Sequence, residues 1–258
     1  MKKYALIVGG SSGIGLASAK KLAKEGFGVF IVHRDRRSTL APFEESISSM
    51  RDKGAKIYTF NIDGTNKEKI QAGCESFIEK TSDLKFSLML HSLSRGNLKS
   101  LISESEAELS EEDLLLTIDS MAINVLSWTK ALIRNNLFDK NARIVTLTSA
   151  GSTKYWSGYG AVALAKSSLE ILTKYLAIEL SSLNIRANVI NAGVTDTPSL
   201  KFIPGYDNLV KEASEKNPLG RMTTPEDVAD VVYLLSTPEA NWINGSIINV
   251  DGGESIIQ

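Results

Sequence analysis

A run of small residues follows the first apolar stretch of the chain: Gly9, Gly10, Ser11, Ser12, Gly13, Ile14 and Gly15. Glycines at 9, 13 and 15 allow a tight turn, close approach of backbone to a pyrophosphate, and close contact between a strand and the helix that follows. The start of that helix adds free N–H groups and a partial positive charge, both suited to an anion. Together these features predict dinucleotide binding. Further along, His33 stands where an acid commonly accepts from both ribose hydroxyls of NAD, and Arg34 follows it. A guanidinium there suits a ribose 2′-phosphate, so the expected cofactor is NADPH; NADH is less favoured, although Asp35 keeps an acid nearby. Asp63, just before Gly64, has two readings, as an acceptor for the adenine amino group or as a turn residue.

These groups need elements to hold them. Short apolar runs at residues 4–8, 29–33, 56–60, 86–91, 143–148, 186–191 and 246–250 are rich in β-branched residues and bounded by Gly, Asn or polar positions, and they read as buried strands. Helical spacing lies between them. Residues 14–24 bring Ile14, Ala17, Ala19 and Leu22 near one face and stop before Gly26. Residues 167–180 repeat the pattern through Leu169, Leu172, Leu176 and Leu180, and Thr224 caps a helix that begins at Pro225. The alternation predicts an α/β fold: a single Rossmann-type doubly wound domain over residues 1–258, with a seven-stranded parallel sheet and helices on both faces. Ligands then sit at the carboxyl ends of the strands. Residues 1–120 form the expected cofactor half, and residues 121–258 the catalytic and substrate half. The acidic stretch 103–113 reads as a solvated loop and helix start.

Composition narrows the classes. With 43% hydrophobic and 23% charged residues the chain is globular, and a net charge of −1 gives no pull toward nucleic acid or an anionic membrane. A single cysteine, Cys74, excludes an intrachain disulfide and a thiolate metal site, and no metal is expected. The apolar run at residues 4–8 is shorter than the ~7–15 residues of a secretory signal. No run approaches the ~18 apolar residues of a membrane span, so the expected location is the cytoplasm.

The spacing Gly9-x3-Gly13-x-Gly15, the later Tyr159 and Lys166, and the closing Val250-Asp251-Gly252-Gly253 resemble the short-chain dehydrogenase/reductase family, from Met1 to about Gly253. Most of that family carries Tyr-x3-Lys. Here Val162 stands four residues before Lys166, and Tyr159 precedes Lys166 with six residues between. That spacing is similar to the enoyl-acyl-carrier-protein reductases. His91-Ser92 in place of Asn-Asn-Ala-Gly, and Ala192-Gly193 in place of Pro-Gly, point the same way. An ordinary glycine loop joined to Tyr-x6-Lys resembles the NADPH-dependent enoyl reductases of some bacilli. So do Tyr155, Asp196-Thr197 leading to Leu200-Lys201, and Asn217-Pro-Leu-Gly-Arg221.

The resemblance implies reduction of the trans-2 double bond of an enoyl thioester. Charge would collect on the thioester oxygen, where Tyr159 as a neutral phenol donates a hydrogen bond. Lys166 would hold the nicotinamide ribose and keep the local field positive. In a ketone reductase the tyrosine gives its proton directly to the alkoxide from nearer the lysine, and three residues of a helix are ~4.5 Å of rise. Ser149 matches the family serine that assists ketone reduction. Tyr155 is either a second hydroxyl or a pocket-lining or surface aromatic, and Asn124 either holds a relay water or marks a helix bend. His91, Ser92, Gly193, Val194, Thr195 and Thr197 fall on the cofactor side.

Residues 198–217, with Leu200, Phe202, Ile203, Tyr206, Leu209 and Val210 and a break at Pro204-Gly205, read as a substrate lid or a plain packed helix. Lys201, Lys211, Lys216 and Arg221 are candidates to meet an acyl carrier protein, or are simply solvated. The resemblance also implies a homotetramer. One interface would lie on the helices of Asn124 and Lys166, with Trp128, Ile171 and Ile178, and another at the C-terminal strand with Ile256-Ile257. Two other functions stay open: a ketone or β-ketoacyl reductase, which Ser149 favours and Val162 opposes, and a non-catalytic NADP(H)-binding regulatory module, which Tyr159, Lys166 and Asn124 oppose.

Overall fold

The computed structural model describes residues 3–104 and 107–257. Seven strands follow in chain order: β1 Tyr4–Val8, β2 Gly28–His33, β3 Ile57–Asn61, β4 Phe86–His91, β5 Phe138–Ser149, β6 Arg186–Ala192 and β7 Ile247–Val250. All pair in parallel in one sheet of order β3-β2-β1-β4-β5-β6-β7. The helices are α1 Gly13–Lys24, α2 Arg37–Asp52, α3 Lys67–Ile78, α4 Glu111–Ile118, α5 Asn124–Arg134, α6 Gly160–Glu179, α7 Tyr206–Lys216 and α8 Pro225–Leu235. The doubly wound α/β arrangement and the seven parallel strands are as the sequence predicts.

The period-two alternation of a strand divides the core. Leu6 and Val8 of β1 face a cluster with Phe77 of α3, Trp128 of α5 and Leu169 and Leu176 of α6. Ala5 and Ile7 face the opposite cluster, with Leu22 of α1, Phe43 and Ile47 of α2 and Val232 of α8. Each fully buried Leu, Ile or Phe contributes roughly 1.5–3 kcal/mol of transfer free energy, so both faces must be covered. Helix ends follow the local chemistry. Gly26 takes φ +86 just beyond α1, and Thr224 caps α8 by accepting from Asp227 N while its own N–H donates to the Asp227 carboxylate.

Two expectations shift. The helix expected at 167–180 begins at Gly160, because Ala161, Val162 and Ala165 extend its buried face toward the site. The strand expected at 143–148 begins at Phe138, which pairs with Phe86 across an irregularity where Asn141 takes φ 64. Ser110 and Asp113 form a capping box at the start of α4. Residues 92–104 and 107–110 ahead of it carry neither helix nor strand; Ser105 and Glu106 of the acidic stretch lie outside the described residues. A five-residue π-helical turn, Asp119–Ile123, joins α4 to α5.

Candidate active site

The sequence-predicted cofactor residues other than Lys166, which lies in α6, gather at the carboxyl ends of the strands. The glycine loop follows β1 at the switch point, where β2 pairs on one side and β4 on the other. Gly9 N donates to Val32 O, and Ser92 N donates to Val8 O, so the loop is tied to the ends of β2 and β4. Gly9 has φ +90, and a Cβ there would stand 2.7 Å from Ser92 O. A Cβ on Gly15 would stand 2.1 Å from Gly9 O, and one on Gly13, at φ +51, 3.0 Å from Thr197 Cγ2. The loop is therefore a bare-backbone cradle in contact with Ser92 and Thr197. Ser12 precedes α1 without a side-chain cap, which leaves the first N–H groups at Gly13, Ile14 and Gly15 free for an anion. Ser11 is half-buried beside them.

At the end of β2, His33 is buried, packs on the Phe43 ring and hydrogen-bonds Asp35 through Nδ1 at 2.8 Å. Arg34 is exposed and donates to Asp63 Oδ2 at 2.7 Å. Asp63 Oδ1 accepts from the Thr65 amide and hydroxyl, so its turn role is realised. Partial burial raises the Asp63 carboxyl, but the Thr65 bonds and the Arg34 guanidinium outweigh that and bring it to about 2.

Behind these loops runs a buried polar bracket that sequence reasoning missed. Gly64 O accepts from both Asn124 Nδ2 and Trp128 Nε1, each at 2.9 Å. Because Asn124 Nδ2 is a donor, its Oδ1 accepts from His91 Nε2 at 2.9 Å, and that ring nitrogen carries the proton. Burial drives His91 down to about 4 despite the Asn124 bond, and the Lys166 charge adds to the shift; the ring is neutral. Asn124 sits directly after the π-helical turn, with its side chain fully engaged in this bracket. Trp128, expected at a subunit interface, is fully buried in the core and serves the bracket instead; the large indole fills the space between α3 and α5.

Tyr159 stands at the N-cap of α6, one residue ahead of the helix, so its displacement from position 162 is not a helical rise. Its hydroxyl lies 3.3 Å from Ser149 Oγ at the end of β5. Burial raises the phenol against the smaller opposing effect of Ser149, which keeps it protonated. Lys166, buried in α6, donates to Leu147 O at 2.8 Å; burial lowers it to about 8, with Glu170 opposing. Val162 packs with Met121 and Ala165, and Leu98, Ile118 and Tyr159 close on them, giving an apolar wall beside the phenol. Tyr155 is not brought to this cluster: its ring is 90% exposed, and Ser149 is the hydroxyl that meets Tyr159.

On the far side, Gly193 N bonds Val250 O, the Thr195 hydroxyl turns back to Gly193 O, and Val194 N is held by Glu254 Oε2 at 3.0 Å. Glu254 is a partner that no motif announces. Residues 198–217 form a turn at Leu200–Phe202 and then α7, with Leu200 and Ala213 buried and Phe202 76% exposed. Lys216 pairs with Glu212 and Arg221 with Asp227, while Lys201 and Lys211 stay exposed. Among the described residues there is no cluster of metal-ligating side chains. No helix among them is long and apolar enough to cross a membrane.

The family described as Enoyl-(Acyl carrier protein) reductase matches residues 8–255. The chain is a short-chain dehydrogenase/reductase. A 3-oxoacyl-[acyl-carrier-protein] reductase, FabG, of Chlamydia muridarum is 28% identical over 254 residues, 98% of this chain and 97% of its own. The enoyl-[acyl-carrier-protein] reductase [NADH] FabI of Bacillus subtilis is 30% identical over 191 residues, 74% of this chain and 72% of its own. The Bacillus cereus enoyl-acyl carrier protein reductase solved with NADP+ and indole naphthyridinone superposes with a TM-score of 0.87 at 26% identity, over 100% of both chains. As a short-chain dehydrogenase/reductase the protein is an oxidoreductase that uses a nicotinamide cofactor, and the side-chain-free cradle of Gly9, Gly13 and Gly15 beside Ser92 and Thr197 fits that group.

Proposed function

We propose that this protein reduces the trans-2 double bond of an enoyl thioester with NADPH, in fatty-acid elongation or a related pathway. The observation that carries the reading is the position of Tyr159: ahead of α6, protonated, and against the apolar wall of Met121, Val162 and Ala165. An acyl chain is at home along that wall. A thioester oxygen near the phenol would take its hydrogen bond as negative charge develops, which is worth about 3–4 kcal/mol for one well-placed donor. A bound nicotinamide cofactor supplies the hydride. The chain's residues do the rest. The glycine loop and the start of α1 receive the pyrophosphate, and Arg34, presented by Asp63, receives a 2′-phosphate. Lys166 holds the ribose and adds positive potential.

Ser149, 3.3 Å from Tyr159, favours a second reading as a ketone or β-ketoacyl reductase, since two hydroxyls together suit a carbonyl oxygen. An acyl carrier protein would meet the exposed Lys201 and Lys211 beside the covering segment. The α5–α6 face, with a groove of 690 Å³ lined by Leu126, Lys130, Ile171, Tyr175 and Glu179, would pair with a second copy in a homotetramer.

The test follows loss of NADPH absorbance with a trans-2-enoyl thioester, in parallel with a β-ketoacyl thioester, with NADH, and with Tyr159→Phe. Enoyl-dependent oxidation lowered by about 10²–10³ in the variant, with cofactor binding intact, is expected. Turnover of the ketone alone would transfer the assignment to the second reading, and silence on both would favour the regulatory module.

A further inference from the structure

The first part of the segment on the substrate side, up to Pro204, is attached at two points. At its start, Thr197 lies against Gly13 of the glycine loop. Ahead of α7, Pro204 O accepts a hydrogen bond of 3.1 Å from Trp156 Nε1. Trp156 is half-buried, and its own carbonyl accepts from Tyr159 N at 3.1 Å. Gly158, at φ +70, completes the joint: a Cβ there would stand 3.0 Å from Leu98 O and 3.2 Å from Pro204 Cγ. Three stretches of chain that surround Tyr159 therefore meet at this point. Beyond it, Gly205 has φ +75 and nothing within 4 Å of its Cβ position, so the backbone has room to turn there, ahead of α7.

We propose that Trp156 is a positioning residue, whose indole N–H latches the covering segment at Pro204 to the loop that carries Tyr159. The substrate pocket and the tyrosine are then set together, and opening the pocket requires release of this hydrogen bond along with the packing of Leu200 and Pro204. The role assigned to the pocket rests on the enoyl reductase reading; the latch itself does not. A single neutral hydrogen bond is worth about 1 kcal/mol, so losing it shifts an open–closed equilibrium roughly fivefold. Phe202 is exposed directly after Lys201, which makes that peptide bond a reporter of opening to trypsin.

Trp156→Phe removes the donor and keeps an aromatic ring. Trypsin cleavage after Lys201 in the full chain should then accelerate roughly fivefold, while cleavage at sites outside residues 198–217 keeps its wild-type rate. With enoyl thioester, KM for the thioester should rise by roughly the same factor and KM for NADPH should not move. Gly158→Ala prises the same joint from the other side and should reproduce the pattern. Cleavage after Lys201 at the wild-type rate in both variants would overturn the latch. So would uniform acceleration at all sites, which marks ordinary destabilisation. If the wild-type protein reduces no enoyl thioester, the functional reading falls, and the cleavage comparison still decides the latch.

Discussion

Lys166 brings a charge into surroundings that oppose it. Its ammonium is buried, satisfied by the single carbonyl of Leu147, and lowered from 10.5 to about 8, chiefly by burial. Below about 8 the side chain is charged and available to a ribose and to a developing oxyanion; above it that charge is lost. kcat/KM, which reports the free enzyme, is therefore expected to fall as pH rises through about 8. Stability should move the opposite way. The folded-state value lies below the unfolded one, so from about 8 to 10.5 the unfolded chain binds more protons, and the melting temperature gains from this group as pH rises. A kcat/KM profile level to pH 10 would contradict the role given to Lys166. Tyr159 is pushed upward instead, so its proton survives across the same range.

Among the elements, the β1–α1 junction tolerates least. Gly15→Ala places a methyl group against Gly9 O, where backbone has nowhere to go, and should cost about 3 kcal/mol or more and abolish cofactor binding. That corresponds to a fall in melting temperature on the order of 6–12 °C, read by calorimetry and by titration with NADP+. Gly26→Ala, at a position with φ +86 but open space around it, serves as the comparison and should cost only about 1 kcal/mol. A Gly15→Ala protein with wild-type affinity would remove the cradle argument. The junction was legible in the sequence because its residues are contiguous, and so were the strands, since parallel strands buried on both faces read as unbroken apolar runs. The start of α6 was not, because Gly158 and Gly160 bracket Tyr159 and look like a loop. Nor were the contacts that fasten the site: His91 to Asn124, Asn124 to Gly64, and Trp156 to Pro204 join residues 33, 60 and 48 positions apart. No local pattern encodes which distant carbonyl an indole or amide will find.

For the whole molecule, the two clusters on either side of the sheet leave an apolar face of α6 uncovered. Ile171 and Ile178 of α6 are 55% and 73% exposed, and Tyr175 lies between them. The proposed homotetramer would bury this face. Ile178→Lys then costs a solvent-facing monomer nothing, yet places an unpaired ammonium in an interface. Sedimentation of the wild-type protein as a tetramer, and of the variant as a smaller species with unchanged circular dichroism, is expected. A wild-type monomer at micromolar concentration would end the proposal and leave the apolar face without its partner.

The strand order also has a consequence for how the chain is made. Once His91 has left the ribosome, β1 can take β2 and β4 on its two sides, with β3 outside β2. Each later strand is then laid beside the one synthesised just before it, β5 on β4, β6 on β5 and β7 on β6. Nothing has to be inserted between strands already paired, so the sheet can grow at one edge at the pace of translation. The residues of the glycine loop and the Arg34–Asp63 pair leave the ribosome before Tyr159 and Lys166 have been translated. The order of synthesis thus runs from the residues that cradle the pyrophosphate to the residues that would do the chemistry.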